Sequence, residues 1–153
     1  MKIILILVIL LLVLAQAYVR LSPNDPARWH AADPFTAGDP GVGGALWLPE
    51  GRTQDFNGQS GAEMLAAIDQ IALDTPRTIR IAGSPAEGKI TYETRSLLWG
   101  FPDFTTIAVR DAPQGAELAA LARSRFGKGD MGVNAARLKS WSQALKSRTG
   151  ASL

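Results

Sequence analysis

The stretch from Ser124 to Trp141 carries polar residues whose types and spacing could do chemistry. Asp130 follows a glycine-rich turn. Its carboxylate is placed to accept a hydrogen bond from a backbone amide in the first turn of a helix. At about 100° per residue, Asn134 and Arg137 share the apolar stripe of that helix. Polar side chains on a stripe that faces a core need partners there. The sequence therefore predicts a polar cluster at the start of this helix.

Two further charged residues are expected close to this cluster. Arg125 ends a predicted strand, and Asp103 lies in a turn between two others. In the structural interpretation, Arg137 pairs with Asp130 or Asp103, and the pair fixes geometry without doing chemistry. Because two arginines lie near Asp130, this carboxylate is expected to pair with Arg125 or Arg137 in addition to capping the helix.

Two functional interpretations stay open beside the structural one. In the first, the glycine-rich turn and the helix start receive a small anion or the carboxylate of a protein partner. In the second, Asp103 and Asp130 act as acid and base beside Arg125 in a hydrolase-like enzyme. The sequence lacks a nucleophile elbow, a histidine-rich metal set and a phosphate loop. This favours the non-enzymatic binding module, with no metal and no cofactor.

His30 is the single histidine of the chain. Its functional interpretation is a proton-transfer residue or a ligand beside Asp33. The structural interpretation, which we favour, makes it the polar edge of an aromatic anchor formed with Trp29.

Composition bounds the class of protein. The chain has 153 residues, 16 basic and 14 acidic side chains and a net charge of +2. The basic residues are scattered, so nothing indicates a nucleic-acid partner. The absence of cysteine excludes a disulfide framework, a thiolate metal site and a lipid-modified N-terminal cysteine.

The N-terminus predicts a membrane segment or a secretory signal. After Lys2, residues 3–14 are unbroken aliphatic, and an Ala-Gln-Ala signature at 15–17 would suit cleavage. As a helix, residues 3–19 span roughly 25 Å, a little under the hydrocarbon thickness. A single lysine gives the n-region less positive charge than is typical of a signal peptide. We therefore expect an uncleaved single-pass anchor with the domain on the periplasmic side, the alternative being a cleaved, soluble periplasmic protein.

The rest of the chain divides into three parts. Residues 21–59 are rich in proline and glycine, show no apolar periodicity and are expected to lie over the domain through aromatic anchors. Residues 60–146 form the α+β domain, and residues 147–153 form a disordered tail.

Within the domain, a capping box at Ser60 and Glu63 predicts a helix from Gly61 to about Asp74, with Asp69 on its solvated side. Alternation predicts strands at residues 78–82, 90–98 and 105–110. Local signals conflict at residues 116–125, where helix propensity is slightly favoured. The last helix should bury Leu138, Trp141 and Leu145.

Two motifs resemble those of the domain-of-unknown-function family 1499, a group of bacterial and plant-plastid proteins. The first motif matches at Tyr92, Gly100, Phe101 and Asp103. The second matches at Ser124, Arg125, Gly127, Asp130, Gly132, Asn134 and Arg137. The resemblance covers roughly residues 60–146 and implies that residues 116–125 form a strand. The resemblance implies no particular activity. It adds Tyr92 to the candidate binding residues. A proline-asparagine-cysteine segment common in the family is missing here.

The predicted fold is thus α+β: an N-terminal membrane helix or signal segment, a helix, a four-stranded antiparallel meander and a C-terminal helix. The predicted function is a membrane-tethered, periplasm-facing binding or accessory domain.

Overall fold

The computed structural model describes residues 1–48, 60–112, 115–126 and 129–149. The helices are α1 (Lys2–Leu21), α2 (Pro26–His30), α3 (Gly61–Asp74) and α4 (Val133–Thr149), with a 3₁₀ turn at Pro85–Glu87. The strands are β1 (Ala45–Trp47), β2 (Thr78–Ser84), β3 (Lys89–Arg95), β4 (Pro102–Ala112) and β5 (Gly115–Ser124). The predicted α+β class is confirmed.

The strands form one antiparallel sheet in the order β1-β5-β4-β3-β2. The prediction of four strands was wrong, because β1 adds a fifth beside β5, with Trp47 opposite Ala120. Three residues are too few to show alternation, so no periodic pattern indicated a strand there. The strand implied for residues 116–125 is confirmed as β5, since its place between β1 and β4 overrides helix propensity.

Helices α3 and α4 cover one face of the sheet and enclose the core. This cluster includes Met64, Leu65 and Ile68 of α3, Ile90, Tyr92, Ile107 and Leu118 of the sheet, and Leu138, Trp141 and Leu145 of α4. The indole of Trp141 meets the ring of Tyr92 edge to face at 5.6 Å and donates to Oγ1 of Thr75 at 2.8 Å. The predicted buried stripe of the last helix is therefore confirmed.

The other face of the sheet is covered by α2, a short helix that the sequence did not predict within the proline- and glycine-rich segment. Trp29 stacks on Phe104 with 3.9 Å between ring centroids, and its carbonyl accepts from the guanidinium of Arg123. His30 lies beside it, with Nδ1 2.9 Å from Oγ1 of Thr91. Both faces of the central strands are thus buried.

Helix α3 begins and ends where the sequence predicts, with the capping box formed by Ser60 and Glu63. The expectation for Asp69 was wrong: it is 2% exposed. Its carboxylate accepts from the hydroxyl of Tyr92 at 2.9 Å and pairs with Arg80. Asp69 lies at the edge of the apolar arc, where it faces β2 and β3 instead of solvent.

Three predictions fall partly or wholly on residues outside the described ranges. Residues 49–59 of the proline- and glycine-rich segment lie outside them, and so does Gly127 of the second motif. Of the predicted tail, residues 147–149 belong to α4 and residues 150–153 are not described.

Candidate functional site

Three residues of the predicted polar cluster, Asp130, Asn134 and Arg137, lie together at one end of the sheet, where β4 begins and β5 ends. The ladder places Asp103 opposite Ser124 at this end. Helix α4 starts close to the pair, with Nδ2 of Asn134 3.0 Å from the hydroxyl of Ser124. This brings Asn134 and Arg137, in its first two turns, over the strand ends.

Four side chains of the cluster close a hydrogen-bonded ring. Arg137 donates to Asp103 Oδ2 and to Asn134 Oδ1, both at 2.8 Å. Asn134 Nδ2 donates to the hydroxyl of Ser124 at 3.0 Å, and that hydroxyl donates to Asp103 Oδ1 at 2.7 Å. Arg137 also reaches Oγ1 of Thr105 at 3.3 Å. Because Asn134 is fully buried and Arg137 is 9% exposed, the ring sits at the edge of the core.

Asp130 joins the cluster as the helix cap. Its carboxylate accepts from the amide of Gly132 at 2.9 Å and from the amide of Asn134 at 2.6 Å. The predicted pairing of Asp130 with Arg125 or Arg137 does not occur in the structure. The first amides of a helix have no partner within it, so they draw the carboxylate away from the arginines.

Arg125 points away from Asp103 and Asp130. Its guanidinium donates to the carbonyl of Pro23 and to the hydroxyl of Ser22, both at 2.9 Å, and also bonds to the side chain of Asn24. These contacts fasten the segment that follows α1 to the end of β5. The structure therefore does not assemble the acid–base trio that a hydrolase would need.

The other two candidates lie outside the cluster. Tyr92 is fully buried in the core, where burial and the carboxylate of Asp69 raise the pKa of its hydroxyl. His30 lies against the opposite face of the sheet. Burial, followed by the positive charge of Lys89, lowers the pKa of its imidazole, and Glu87 partly opposes this.

Beside the ring opens a cavity of about 350 Å³, which we call the sheet-end pocket. Its apolar lining comes from Leu98, Trp99, Phe101, Phe126, Met131 and Val133. Asp103, Ser124 and Asp130 supply polar lining. The sequence motifs pointed to these three residues and to Phe101, but the other apolar walls were missed. Exposed apolar side chains in turns give no periodic signal that could have identified them.

The geometry limits what the pocket can do. Every oxygen of Asp103 and Asp130 already accepts one hydrogen bond, and each retains a lone pair. The carboxylates can therefore accept from a ligand, but neither is held free as a general base. Within the described ranges, no three histidine or acidic residues converge on a metal position.

Phe101 and Asp103 of the first motif and Ser124 and Asp130 of the second thus line one pocket. No curated protein matches the chain. A family model matches residues 20–145, which is most of the chain and includes β1, α2 and the whole ring. The protein therefore belongs to the family described as Protein of unknown function (DUF1499).

Proposed function

We propose that the protein is a membrane-tethered binding module that holds an amphipathic ligand in the sheet-end pocket. Helix α1 is the tether. An 18-residue window of this helix has a mean hydropathy of 2.7, and none of its residues is buried against the domain. With Lys2 and the amino terminus on the cytoplasmic side, the domain faces the periplasm.

The composition of the pocket carries the proposal. Six apolar side chains surround a cavity large enough for a small ligand, and two carboxylates face it. A ligand with an apolar body and a cationic or hydrogen-bond-donating head fits both features, because Asp103 and Asp130 offer only acceptors. An anion fits poorly, since the carboxylate of Asp130 already takes the amides that would bind it.

The arrangement of these residues favours binding over hydrolysis. Asp103 and Asp130 are both engaged by donors, and Arg125 is directed toward residues 22–24. Binding explains the same residues without a nucleophile.

Ligand binding is tested with the full-length protein in an uncharged detergent. Native mass spectrometry would count bound molecules of a primary alkylamine and of an alkyl carboxylate of equal chain length. We expect one alkylamine per protein, bound at least about tenfold more tightly than the carboxylate. Tenfold corresponds to about 1.4 kcal/mol, well within the reach of one charge-assisted hydrogen bond.

Val133→Phe should fill the pocket and weaken alkylamine binding about tenfold. Leu73→Phe is the matched control, because Leu73 is another half-exposed helix residue, 39% exposed on α3 against 50% for Val133. Equal affinity of the two variants, or preference for the carboxylate, would refute the site.

The tether is tested separately, by fractionation of cells and mass measurement of the N-terminus. We expect an intact chain in the membrane fraction. A soluble species beginning at Tyr18 would show that α1 is a cleaved signal.

A further inference from the structure

Apolar side chains project from the end of the domain that holds the pocket. We call Leu97, Leu98, Trp99, Met131 and Val133 the apolar rim. Leu97, Leu98 and Met131 are 75%, 72% and 100% exposed. They come from two turns that are distant in sequence, the β3–β4 turn and the turn before α4. An exposed patch built from two turns marks an interaction surface more often than scattered single residues do.

The rim is fixed beside α1. Gln16 and Arg20 both donate to the carbonyl of Leu98, at 3.1 and 3.3 Å, and the ring of Tyr18 meets the edge of Phe126 at 6.2 Å. Trp99 lines a groove with Leu12, Val13 and Gln16. Leu98 and Trp99 of the rim therefore stand alongside the last three turns of the apolar helix instead of beyond its end.

This position sets a depth. Val13 and Arg20 are seven residues apart, which is about 10 Å along a helix. If residues 3–19 lie in hydrocarbon and Arg20 lies at the headgroups, Trp99 lies on the hydrocarbon side of the headgroups, because it is next to Val13. That is the depth at which interfacial elements insert, roughly 5–10 Å, and tryptophan is enriched there. The contacts of Arg125 with residues 22–24 hold the segment after α1 against the domain, so they restrict movement of the domain away from the membrane.

Arginines surround the exit of α1. Arg20, Arg77 and Arg95 line a cleft of about 270 Å³, with Glu93 as its one acidic residue. Glu93 pairs with Arg95, which leaves positive charge in excess. The Nε–H of Arg77 donates to the carbonyl of Arg95, and the other N–H groups of its guanidinium can donate to another partner. Positive charge next to an inserted apolar loop complements anionic phospholipid headgroups.

We propose that the apolar rim inserts into the leaflet of the bilayer on the domain's side, with Arg20, Arg77 and Arg95 against anionic phospholipid headgroups. This rests on the proposed tether. The sheet-end pocket then opens at the lipid surface, so an amphipathic ligand can enter it from the membrane.

The experiment uses the absence of cysteine, because a single introduced cysteine is then the sole thiol. Full-length Leu97→Cys carries an environment-sensitive fluorophore and is reconstituted into vesicles of phosphatidylcholine and phosphatidylglycerol. Ala86→Cys is the matched control. Ala86 is exposed in the 3₁₀ turn at the other end of β3, about 20 Å away at roughly 3.3 Å per residue.

We expect blue-shifted emission at position 97, and at least about threefold stronger quenching there than at position 86 by lipids with a nitroxide near the headgroup end of the acyl chain. In phosphatidylcholine alone, quenching at position 97 should fall at least twofold. Arg77→Gln should remove most of this lipid dependence.

Failure of the inference is distinguishable from failure of the tether. Vesicles are first floated on a density gradient, and protein that does not float disproves the tether. Protein that floats while positions 97 and 86 are quenched equally overturns the insertion. Equal quenching of position 97 in both lipid mixtures overturns the role of the arginines.

Discussion

Arg137 on α4 and Asp103 on β4 face each other across the end of the sheet, with 2.8 Å between Nη2 and Oδ2. Their side chains are 7% and 15% exposed. The second oxygen of Asp103 accepts from Ser124, and Nη1 of Arg137 donates to Asn134. Removing either partner therefore leaves a charge in the ring without its countercharge.

Arg137→Ala should lower the free energy of unfolding by about 3–5 kcal/mol, because Asp103 is left largely buried and unpaired. Lys139→Ala is the control on the exposed face of the same helix and should stay within about 0.5 kcal/mol. Urea unfolding of the detergent-solubilised full-length protein measures both. Coincident midpoints would show that the pair contributes no stability.

Asp130→Asn should be nearly as stable as the wild type. Both described contacts of the carboxylate are with backbone amides, and asparagine caps a helix about as well as aspartate. Asp130→Ala should cost about 1 kcal/mol, since it removes the cap. An asparagine variant as unstable as the alanine variant would indicate that the charge of Asp130 matters more than its geometry.

The stability of the protein should fall between about pH 7.5 and pH 5, through His30. Burial lowers the pKa of this imidazole, with help from Lys89, so the unfolded state binds the proton more readily than the folded state. The free energy of unfolding therefore rises with pH across this window. The contribution of His30 is lost as the pH falls through it. Urea midpoints at both pH values should differ less for His30→Gln than for the wild type. An unchanged difference would exclude His30 as the source.

Gly83→Ala should destabilise the protein by more than about 1 kcal/mol. Gly83 has a φ of +80°, and an added Cβ would lie 2.0 Å from the carbonyl oxygen of Lys89 and 2.9 Å from the ring of His30. Gly38→Ala is the control, because nothing lies within 4 Å of its Cβ position and its φ is not in the left-handed region. Thermal unfolding compares the two. If both variants melt together, the strand around Gly83 can adjust without cost.

Local patterns in the sequence were enough for α1, α3 and α4 and for β2, β3 and β4, whereas they predicted neither α2 nor β1. The capping box determined where α3 begins and the 3.6-residue period its approximate end, and alternation located β2, β3 and β4 with shifts at their ends. The same periodicity placed Asn134 and Arg137 on the buried side of α4. These features depend on neighbours within one or two turns, so they are present in the sequence itself.

The tertiary structure decided which residues become partners. A period shows which face of an element is buried, but not what faces it. The choice of Asp103 over Asp130 for Arg137 depends on the register of β4 against β5 and on the unpaired amides at the start of α4. The burial of Asp69 likewise depends on where Arg80 and Tyr92 lie.

The same limit explains the pocket and the rim. The turns that carry Trp99 and Met131 are irregular, and nothing in their residue order indicates that they meet. The fold of β3, β4 and β5 brings these turns to one end of the sheet, next to α1. The sequence by itself determined that α1 is apolar and that the second motif is polar. Their meeting at one surface was decided by strand pairing, because pairing joins residues that are distant along the chain.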